Sequence, residues 1–409
     1  MRQESILRAI YDPANRADPY PLFAELRKTP VCWQEDGPHE AGTYVVAGYR
    51  EIAGVLHDPR LGSDLRKGAL SGGPRSRFAE FSFINLDAPD HDRLRRLAMR
   101  HFGPPERPGY VEELRPAMER ITATLFDEVQ GERRFDVVSR LAGPLPVTVI
   151  GAILGVPSED QPKFRAWADA IVASAGHHTP EATARRLEAA EALNDYMGAL
   201  VRRRREAPGS DVLSRMVADA EAGRGMEEKF LVATSVLLLV AGHETTINLI
   251  ANGVLTLLRH PDVFERLRRQ PDLVPGAVEE LLRYEPPVQL LPNRTTLEDV
   301  PIAGTTIPKG VLVTLALAAG NRDPARFADP DRFDPERRRN EHLGFGSGIH
   351  YCFGAPLARA EAQVALRELV RRVERPRLVV DPPPYRPSPM LRGPEQLLVE
   401  VDGVRASGE

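Results

Sequence analysis

A cysteine set among glycines is the part of this sequence best suited to chemistry. Cys352 lies within residues 345–354, FGSGIHYCFG. Glycines allow a backbone to approach a bound group closely, and the partial positive charge at the start of a following helix favours a thiolate. A thiolate in such a loop is a good metal ligand. The alternative is that Cys352 is a small buried hydrophobic residue, the usual role of a lone cysteine.

Polar residues also interrupt the longest apolar helical segment. Residues 226–259 have helical potential throughout, and AGHETT occupies positions 241–246. Gly242 costs about 1 kcal/mol relative to alanine in a helix interior, and Glu244 beside Thr245 costs more if both are buried without partners. The segment therefore predicts a functional site on a central helix. The alternative is a cap or kink whose polar residues face solvent.

Two polar pairs have helical spacing. Glu280 and Arg283 are three positions apart. His91 and Arg95 are four apart, so each pair shares one face of a predicted helix. Taken alone, such a pair is an ordinary surface interaction worth about 0.2–0.5 kcal/mol.

The elements that must position these residues are mostly helices. The spacing of apolar residues predicts helices over 49–57, 91–102, 112–129, 162–175, 180–206, 226–259, 274–284 and 357–373. Short strands are predicted at 43–46, between 300 and 315, and at 397–401. Glycine-rich loops are predicted at 68–74 and 343–354. The pattern is typical of a mainly α protein with a small β portion, and one continuous domain over 1–409 is expected.

Composition excludes several classes of protein. Lys+Arg total 54 and Asp+Glu total 58, so the net charge of −4 gives no positive field to attract nucleic acid or an anionic membrane. Cys32 and Cys352 cannot build a disulfide framework, which indicates a reducing cytoplasm. The N-terminal residues are too charged for a signal peptide, and the apolar run at 230–241 is shorter than the ~18 residues that suggest a membrane span. We expect a soluble cytoplasmic protein without a membrane anchor or a nucleic-acid partner.

Together these motifs resemble those of the cytochrome P-450 family of haem-thiolate monooxygenases. Residues 345–354 match the family's haem-binding signature, aromatic-Gly-x-Gly-x-His-x-Cys-x-Gly, at every fixed position. The resemblance extends from Asp18 to the C-terminal strand, with the landmarks in the family's order. It implies the cytochrome P-450 fold, a helical triangular prism with haem between the long central helix and the cysteine loop. It also implies a single haem domain with no fused reductase.

The resemblance implies a role for the central residues. Cys352 would be the axial ligand of the haem b iron, with Phe345 packed beneath the cofactor. Thr245 would hydrogen-bond to dioxygen, the co-substrate, or to the water that protonates it, and Glu244 would help to deliver protons.

Further residues follow from the same resemblance. Glu280, Arg283 and Arg332 would form a buried network that locks the fold. The other implied cofactor contacts, several of which are cations suited to the two haem propionates, are His91, Arg95, Ala241, Gly242, Arg294, Gly346, His350 and Gly354.

The implied reaction is insertion of one oxygen atom from dioxygen into a lipophilic small molecule. A polyketide, macrolide, terpenoid or steroid-like substrate of bacterial secondary metabolism is expected, because the implied pocket is mostly apolar. His177 and His178 fall in the segment that covers the pocket in the family. The expected pocket residues are Phe78, Phe81, Phe83, Ile84, Val240, Val288, Leu290, Leu291, Met390 and Leu391. The alternatives are oxidative coupling, desaturation, or a haem-thiolate binding protein without turnover.

Electrons are expected from NAD(P)H through a separate ferredoxin and ferredoxin reductase. An acidic ferredoxin would dock on helices that flank the cysteine side of the haem in the family, and a monomer is that family's usual state. The arginines expected on this surface are Arg96, Arg100, Arg359, Arg367, Arg371 and Arg372. The alternative is an arginine-rich surface that is merely solvated.

Overall fold

The computed structural model describes residues 5–35, 42–64, 66–67, 75–103, 106–173 and 179–407. The loop predicted at 68–74 and the pair His177 and His178 lie outside these ranges.

Helices dominate the described part of the chain. In chain order they are α1 (Ile6–Tyr11), α2 (Tyr20–Arg27), α3 (Tyr49–His57), α4 (Arg77–Phe81), α5 (Asp90–Met99), α6 (Tyr110–Glu128), α7 (Pro144–Leu154), α8 (Gln161–Ala173), α9 (Pro180–Glu206), α10 (Val212–Glu221), α11 (Glu228–Arg259), α12 (Pro261–Arg269), α13 (Val274–Tyr284), α14 (Leu317–Asn321) and α15 (Ala355–Arg372). The predicted helices agree with these bounds to within a few residues. The short helices α1, α2, α4 and α14 were not predicted, because one or two turns carry little periodicity. The longer helices α7, α10 and α12 were also missed.

The strands form small sheets. They are β1 (Val31–Gln34), β2 (Thr43–Val46), β3 (Leu61–Gly62), β4 (Arg134–Asp136), β5 (Leu291–Thr296), β6 (Val300–Ile302), β7 (Thr305–Ile307), β8 (Leu312–Leu315), β9 (Val373–Glu374), β10 (Arg377–Leu378), β11 (Leu398–Glu400) and β12 (Gly403–Val404). The largest sheet has the order β1-β2-β8-β5-β3, in which only β2 and β8 are parallel. β5 has a register shift between Leu291 and Arg294, so these two residues of one strand contribute to different parts of the site described below.

Helix α11 crosses the core and is buried on nearly all sides. Its most apolar 18-residue window has a mean hydropathy of 1.6, so by length and composition the helix could cross a membrane. However, 67% of that window is buried inside the protein, as in the core helix of a globular fold. The apolar run at 230–241 is therefore shorter than the buried part of α11, because that buried part also contains serine, threonine and glycine.

A buried ionic network lies at α13. The Arg283 guanidinium donates to Glu280 at 2.7 and 2.8 Å, and both side chains are fully buried. The predicted third member is wrong. Arg332 is exposed and contributes only its backbone carbonyl, whereas Arg337 donates to Glu280 at 3.0 and 3.2 Å. Turns after residue 329 bring the later arginine back to the acid, which sequence spacing alone does not indicate.

We expect Arg337→Ala to lower the free energy of unfolding by about 2–3 kcal/mol, because it removes one of two cations from a buried carboxylate. The matched control is Arg332→Ala, which should cost less than about 0.5 kcal/mol because its side chain faces solvent. Chemical denaturation followed by circular dichroism measures both. Equal losses for the two variants would contradict the assignment.

Candidate active site

A large cavity separates α11 from the cysteine loop at 343–354. Its empty space amounts to about 1290 Å³, part of which is continuous with solvent. The wall is mostly apolar, and its polar members are Arg95, Thr245, Thr246, His350 and Cys352. The cavity therefore offers an apolar space between a thiol on one side and hydroxyls on the other.

The cysteine loop is held by its own backbone. The Cys352 N–H donates to the Phe345 carbonyl at 2.9 Å, and Gly346 and Gly348 have φ near +67° and +68°. A side chain at Gly348 would lie 2.2 Å from the Leu56 carbonyl oxygen. Only glycine fits both the backbone angle and this contact.

Opposing effects act on the thiol. Burial raises the pKa of Cys352, while the N–H groups of Gly354 and Ala355 and the guanidinium groups of Arg95 and Arg359 oppose that rise. The effect of burial on the pKa of Cys352 is larger than that of the helix N-terminus, so the helix alone does not stabilise the expected thiolate. A coordinated metal would supply the missing positive charge.

The loop also leaves room beside Cys352. Gly346 and Gly354 both line the cavity, and a Cβ at either position would have no atom within 4 Å among those described. Open space next to a thiol in a glycine loop fits a flat metal-containing group.

Four nitrogen-bearing side chains predicted to meet the propionates come together on one side of this loop. The rings of His91 and His350 lie 4.3 Å apart, and Arg95 and Arg294 are close enough to perturb His350 electrostatically. Burial and, to a lesser extent, the three neighbours together lower the pKa of His350 to about 3.

Acids lie near the cluster, since Asp92 contacts His91 and the charge of Asp87 acts on Arg294, but they leave some of its donors without hydrogen bonds. Burial lowers the pKa of Arg294 to about 10, and within the described ranges its guanidinium makes no hydrogen bond. Nε2 of His91 is buried without a partner, although Nδ1 contacts Asp92 at 2.8 Å. Buried donors without partners are costly, so the cluster fits a carboxylate-bearing cofactor such as haem.

On the opposite wall, α11 continues through the polar segment without a break. The Thr245 hydroxyl donates to the Ala241 carbonyl at 2.9 Å, and the Thr246 hydroxyl to the Gly242 carbonyl at 3.4 Å. A Cβ at Gly242 would lie 3.1 Å from Ile150 of α7, so glycine allows close packing here. Ala241, Gly242 and Thr245 all face the cavity, as predicted. The alternative of a cap or kink facing solvent is wrong.

Glu244 points away from the cavity. One carboxylate oxygen lies 3.2 Å from Nη1 of Arg386 and 3.5 Å from Nδ2 of Asn248, and the other is buried without a partner. Burial raises the pKa of Glu244, and Arg386 and His243 partly offset that rise. The residue therefore takes up a proton more readily than an exposed carboxylate does.

Consecutive acids of α13 fix both ends of the cysteine loop. Glu280 belongs to the network described above. Glu279 accepts hydrogen bonds from Arg359 at 2.7 and 2.9 Å and contacts His342 at 3.1 Å. Burial alone would raise the pKa of Glu279, but the bonds from His342 and Arg359 outweigh it and lower the pKa to about 2. Sequence reasoning missed Glu279, although its position beside Glu280 was a signal.

The structure brings some of the predicted pocket residues to the cavity. Phe83, Ile84, Val288 and Leu291 line the cavity. The predicted residues that do not line it are Phe78, Phe81, Val240, Leu290, Met390 and Leu391. Most of these pack elsewhere; for example, Phe81 meets the ring of Phe230 edge-on.

Other lining residues were missed. Leu237 and Leu238 lie one turn before Ala241 on the same helix face, so helical periodicity could have found them. Ile150 and Leu317 come from distant segments and carry no such signal.

The arginines expected to dock a partner are mostly engaged within the protein. Arg372 is buried and donates to Asp127 at 2.6 Å, so it is not a docking residue. The acids that engage Arg359, Arg100 and Arg371 are Glu279, Glu106, Asp219 and Glu368. Within the described ranges, exposed Arg96 has no ion-pair partner, and exposed Arg367 contacts only the Pro271 carbonyl, at 3.5 Å.

Comparison with solved structures assigns the fold. The chain is similar to the myxobacterial cytochrome P450 CYP267B1 solved with myristic acid, with a TM-score of 0.90 and 37% identity. The match covers 97% of this chain and 99% of that one. The fold is thus that of a haem-dependent oxygenase, as the resemblance implied.

Sequence comparisons give the family. A family model described as Cytochrome P450 matches residues 44–400. The chain is 40% identical to cytochrome P450 monooxygenase PikC of Streptomyces venezuelae, covering 96% of this chain and 93% of PikC. It is 39% identical to 6-deoxyerythronolide B hydroxylase of Saccharopolyspora erythraea, over 94% of this chain and 96% of that protein.

The chain belongs to the cytochrome P450 family and is a monooxygenase. The family implies haem iron as cofactor and dioxygen as co-substrate. A binding protein without turnover is therefore not supported.

We expect Arg294→Leu to speed haem transfer to apomyoglobin by about tenfold or more, because a charge-assisted bond is lost. The same change should not lower the thermal midpoint of the haem-depleted protein, since it removes a buried cation that is hydrogen-bonded to no acid within the described ranges. The matched control is Arg392→Leu. Arg392 is equally buried but pairs with Glu285, so its loss should destabilise the chain. A destabilised Arg294→Leu apoprotein would contradict this account.

Proposed function

We propose that Cys352 ligates haem iron and that the enzyme inserts one oxygen atom into an uncharged lipophilic molecule. The observation that carries the proposal is the cavity with Cys352 in one wall and Thr245 in the other. Nε2 of His91, buried with no hydrogen-bond partner among the described residues, and the guanidinium of Arg294 suit the cofactor's propionates.

When bound, the haem supplies the iron at which dioxygen is activated. His91, Arg95, Arg294 and His350 would hold its two carboxylates, and Gly346 and Gly354 leave space for its ring. The apolar wall excludes water from the reacting region.

Thr245 and Glu244 have different roles in proton delivery. Because the Thr245 hydroxyl donates to the Ala241 carbonyl, its lone pairs face the cavity and accept a hydrogen bond there. Glu244 lies behind the cavity wall, where burial raises the pKa of its carboxyl.

The lining favours an uncharged substrate. On the side of α11 the wall is formed by residues such as Leu237, Leu238, Val288 and Leu291, and no Asp, Glu or Lys lines the cavity within the described residues. The charged Arg95 and the polar ring of His350 lie at the cysteine side, where the propionates would engage them. A polyketide, macrolide, terpenoid or steroid-like molecule fits such a wall, and 6-deoxyerythronolide B hydroxylase is a named relative.

Electrons would arrive from NAD(P)H through a separate ferredoxin and its reductase in the cytoplasm. Ile349 and Tyr351 of the cysteine loop are 54% and 39% exposed, which is unusual for large apolar side chains. Exposed Arg96 lies on α5, which is hydrogen-bonded to this loop through Arg95. Exposed Arg367 lies on α15, which follows the loop in sequence. An apolar centre with a cationic rim suits an acidic redox protein.

The first test is the carbon monoxide difference spectrum after dithionite reduction. We expect a strongly red-shifted Soret band in the wild-type protein and its loss in Cys352→Ser, because a serine hydroxyl cannot replace the thiolate. The matched control is Cys32→Ser, which should keep the band because Cys32 lies on β1. Retention of the band in Cys352→Ser would refute the ligand assignment.

We expect Arg96→Glu combined with Arg367→Glu to slow ferredoxin-dependent reduction by about tenfold at low ionic strength, because opposite charges then become like charges. The effect should shrink as salt is added. Arg185→Glu on α9, also an exposed arginine, serves as control. Stopped-flow reduction measures the rates, and equal rates in all three proteins would contradict the docking surface.

A further inference from the structure

Two polar residues that do not line the cavity, Ser63 and Asp87, contact the residues expected to hold the propionates. The Ser63 hydroxyl lies 3.0 Å from Nε2 of His350. Burial lowers the pKa of Arg294, and the charge of Asp87 partly opposes that effect. The Asp87 carbonyl also accepts a hydrogen bond from the His91 N–H at 3.0 Å. Neither Ser63 nor Asp87 has a part in the function proposed above.

Strand β3 brings Ser63 to this position. Gly62 of β3 pairs with Thr295 of β5, and Ser63 follows Gly62 directly. Arg294 precedes Thr295, so the same pair of strands places Ser63 near one of the expected propionate donors. A Cβ at Gly62 would lie 2.7 Å from Oδ2 of Asp87. Glycine therefore leaves room for the Asp87 carboxylate beside β3.

Asp87 holds the backbone of Ser63. Oδ1 of Asp87 accepts a hydrogen bond from the Ser63 N–H at 2.6 Å, and Oδ2 accepts one from Nζ of Lys67 at 2.9 Å. The Asp87 side chain is largely buried, and hydrogen bonds to a carboxylate are stronger than those between neutral groups. The residue that carries the hydroxyl is therefore fixed relative to the start of α5.

The Ser63 hydroxyl engages one of the two ring nitrogens of His350. A hydroxyl both donates and accepts, so it satisfies Nε2 in either tautomer of the ring. The other nitrogen, Nδ1, has no hydrogen-bond partner among the described residues, and His350 lines the cavity. The ring also packs 4.3 Å from that of His91, which restricts its rotation. The nitrogen left for a cofactor carboxylate is therefore Nδ1.

We propose that Ser63 is a positioning residue that holds the His350 ring with Nδ1 directed to a carboxylate of the cofactor. This inference rests on the proposed function, because that carboxylate belongs to the haem. Ser63 acts through His350, since it does not itself line the cavity. A ring that is fixed before the cofactor binds loses less conformational freedom on binding, which strengthens retention of the cofactor.

Haem transfer from the ferric holoenzyme to apomyoglobin gives the first test. We expect Ser63→Ala to speed the transfer by about fivefold, because the hydrogen bond that orients a propionate partner is lost. His350→Phe should speed the transfer at least as much. The variant with both changes should match His350→Phe alone, since the two changes act through one ring. Additive effects in the double variant would overturn the proposal.

The matched control is Ser235→Ala. Ser235 is also buried and does not line the cavity, and its hydroxyl donates to the Leu231 carbonyl at 2.9 Å. The change removes one buried hydrogen bond without affecting a residue expected to hold the propionates. This variant should transfer haem at the wild-type rate. Transfer from Ser63→Ala at the Ser235→Ala rate would overturn the positioning role.

Resonance Raman spectroscopy of the ferric holoenzyme gives a readout that a merely structural role would not change. The bending mode of a haem propionate changes frequency with the hydrogen bonds that its carboxylate accepts. We expect this mode to shift in Ser63→Ala and to keep its wild-type frequency in Ser235→Ala. An unshifted mode in Ser63→Ala would overturn the proposal even if His350→Phe could not be purified with haem.

Failure of this inference is distinguishable from failure of the proposed function. If Ser63→Ala keeps its carbon monoxide band and forms product while its transfer rate and propionate mode stay at the wild-type values, the positioning role is wrong and the proposed function stands. Absence of the red-shifted band from the haem-replete wild-type protein would instead refute the proposed function.

Discussion

Helix α11 must cross an apolar core while its middle carries Glu244 beside the hydroxyls of Thr245 and Thr246, and the rest of the site follows from how those groups are satisfied. The hydroxyls of Thr245 and Thr246 turn back to carbonyls of their own helix, which leaves the cavity wall without stranded donors. Glu244 instead faces the opposite side, where Arg386 meets it. Helix α11 thus separates the apolar cavity from the buried charged groups around Glu244.

The second constraint is buried polar groups on the cysteine side. Burial disfavours the charged forms of Arg294 and His350, and within the described ranges neither Arg95 nor Arg294 is hydrogen-bonded to an acid. Elsewhere the chain pairs its buried arginines, as Arg283 with Glu280 and Arg392 with Glu285. Arg95 and Arg294 differ from these, because no carboxylate of the chain is hydrogen-bonded to them within the described ranges. A carboxylate-bearing cofactor would therefore complete the charge pairing of the folded protein.

Two adjacent acids on α13, Glu279 and Glu280, hold the segments around the cysteine loop. Glu280 gathers the segment before the cysteine loop through Arg337, and Glu279 holds His342 and Arg359 at the two ends of the loop. The loop is therefore fixed by side chains outside it as well as by its glycines. This explains how a short irregular segment can hold Cys352 at a set position opposite α11.

Sequence alone determined the family, the order of the helices, the cysteine loop and the polar segment of α11, because these depend on local spacing and on residue types with few structural alternatives. It could not tell Arg332 from Arg337, since both follow the same motif and only the turns after residue 329 decide which side chain returns to Glu280. It could not find Ile150 or Leu317 in the cavity, nor Asp169 and Arg386 beside Glu244, because those neighbours come from segments far apart in the chain. Tertiary structure decided these contacts because side-chain direction and burial depend on how whole helices pack, which no local pattern records.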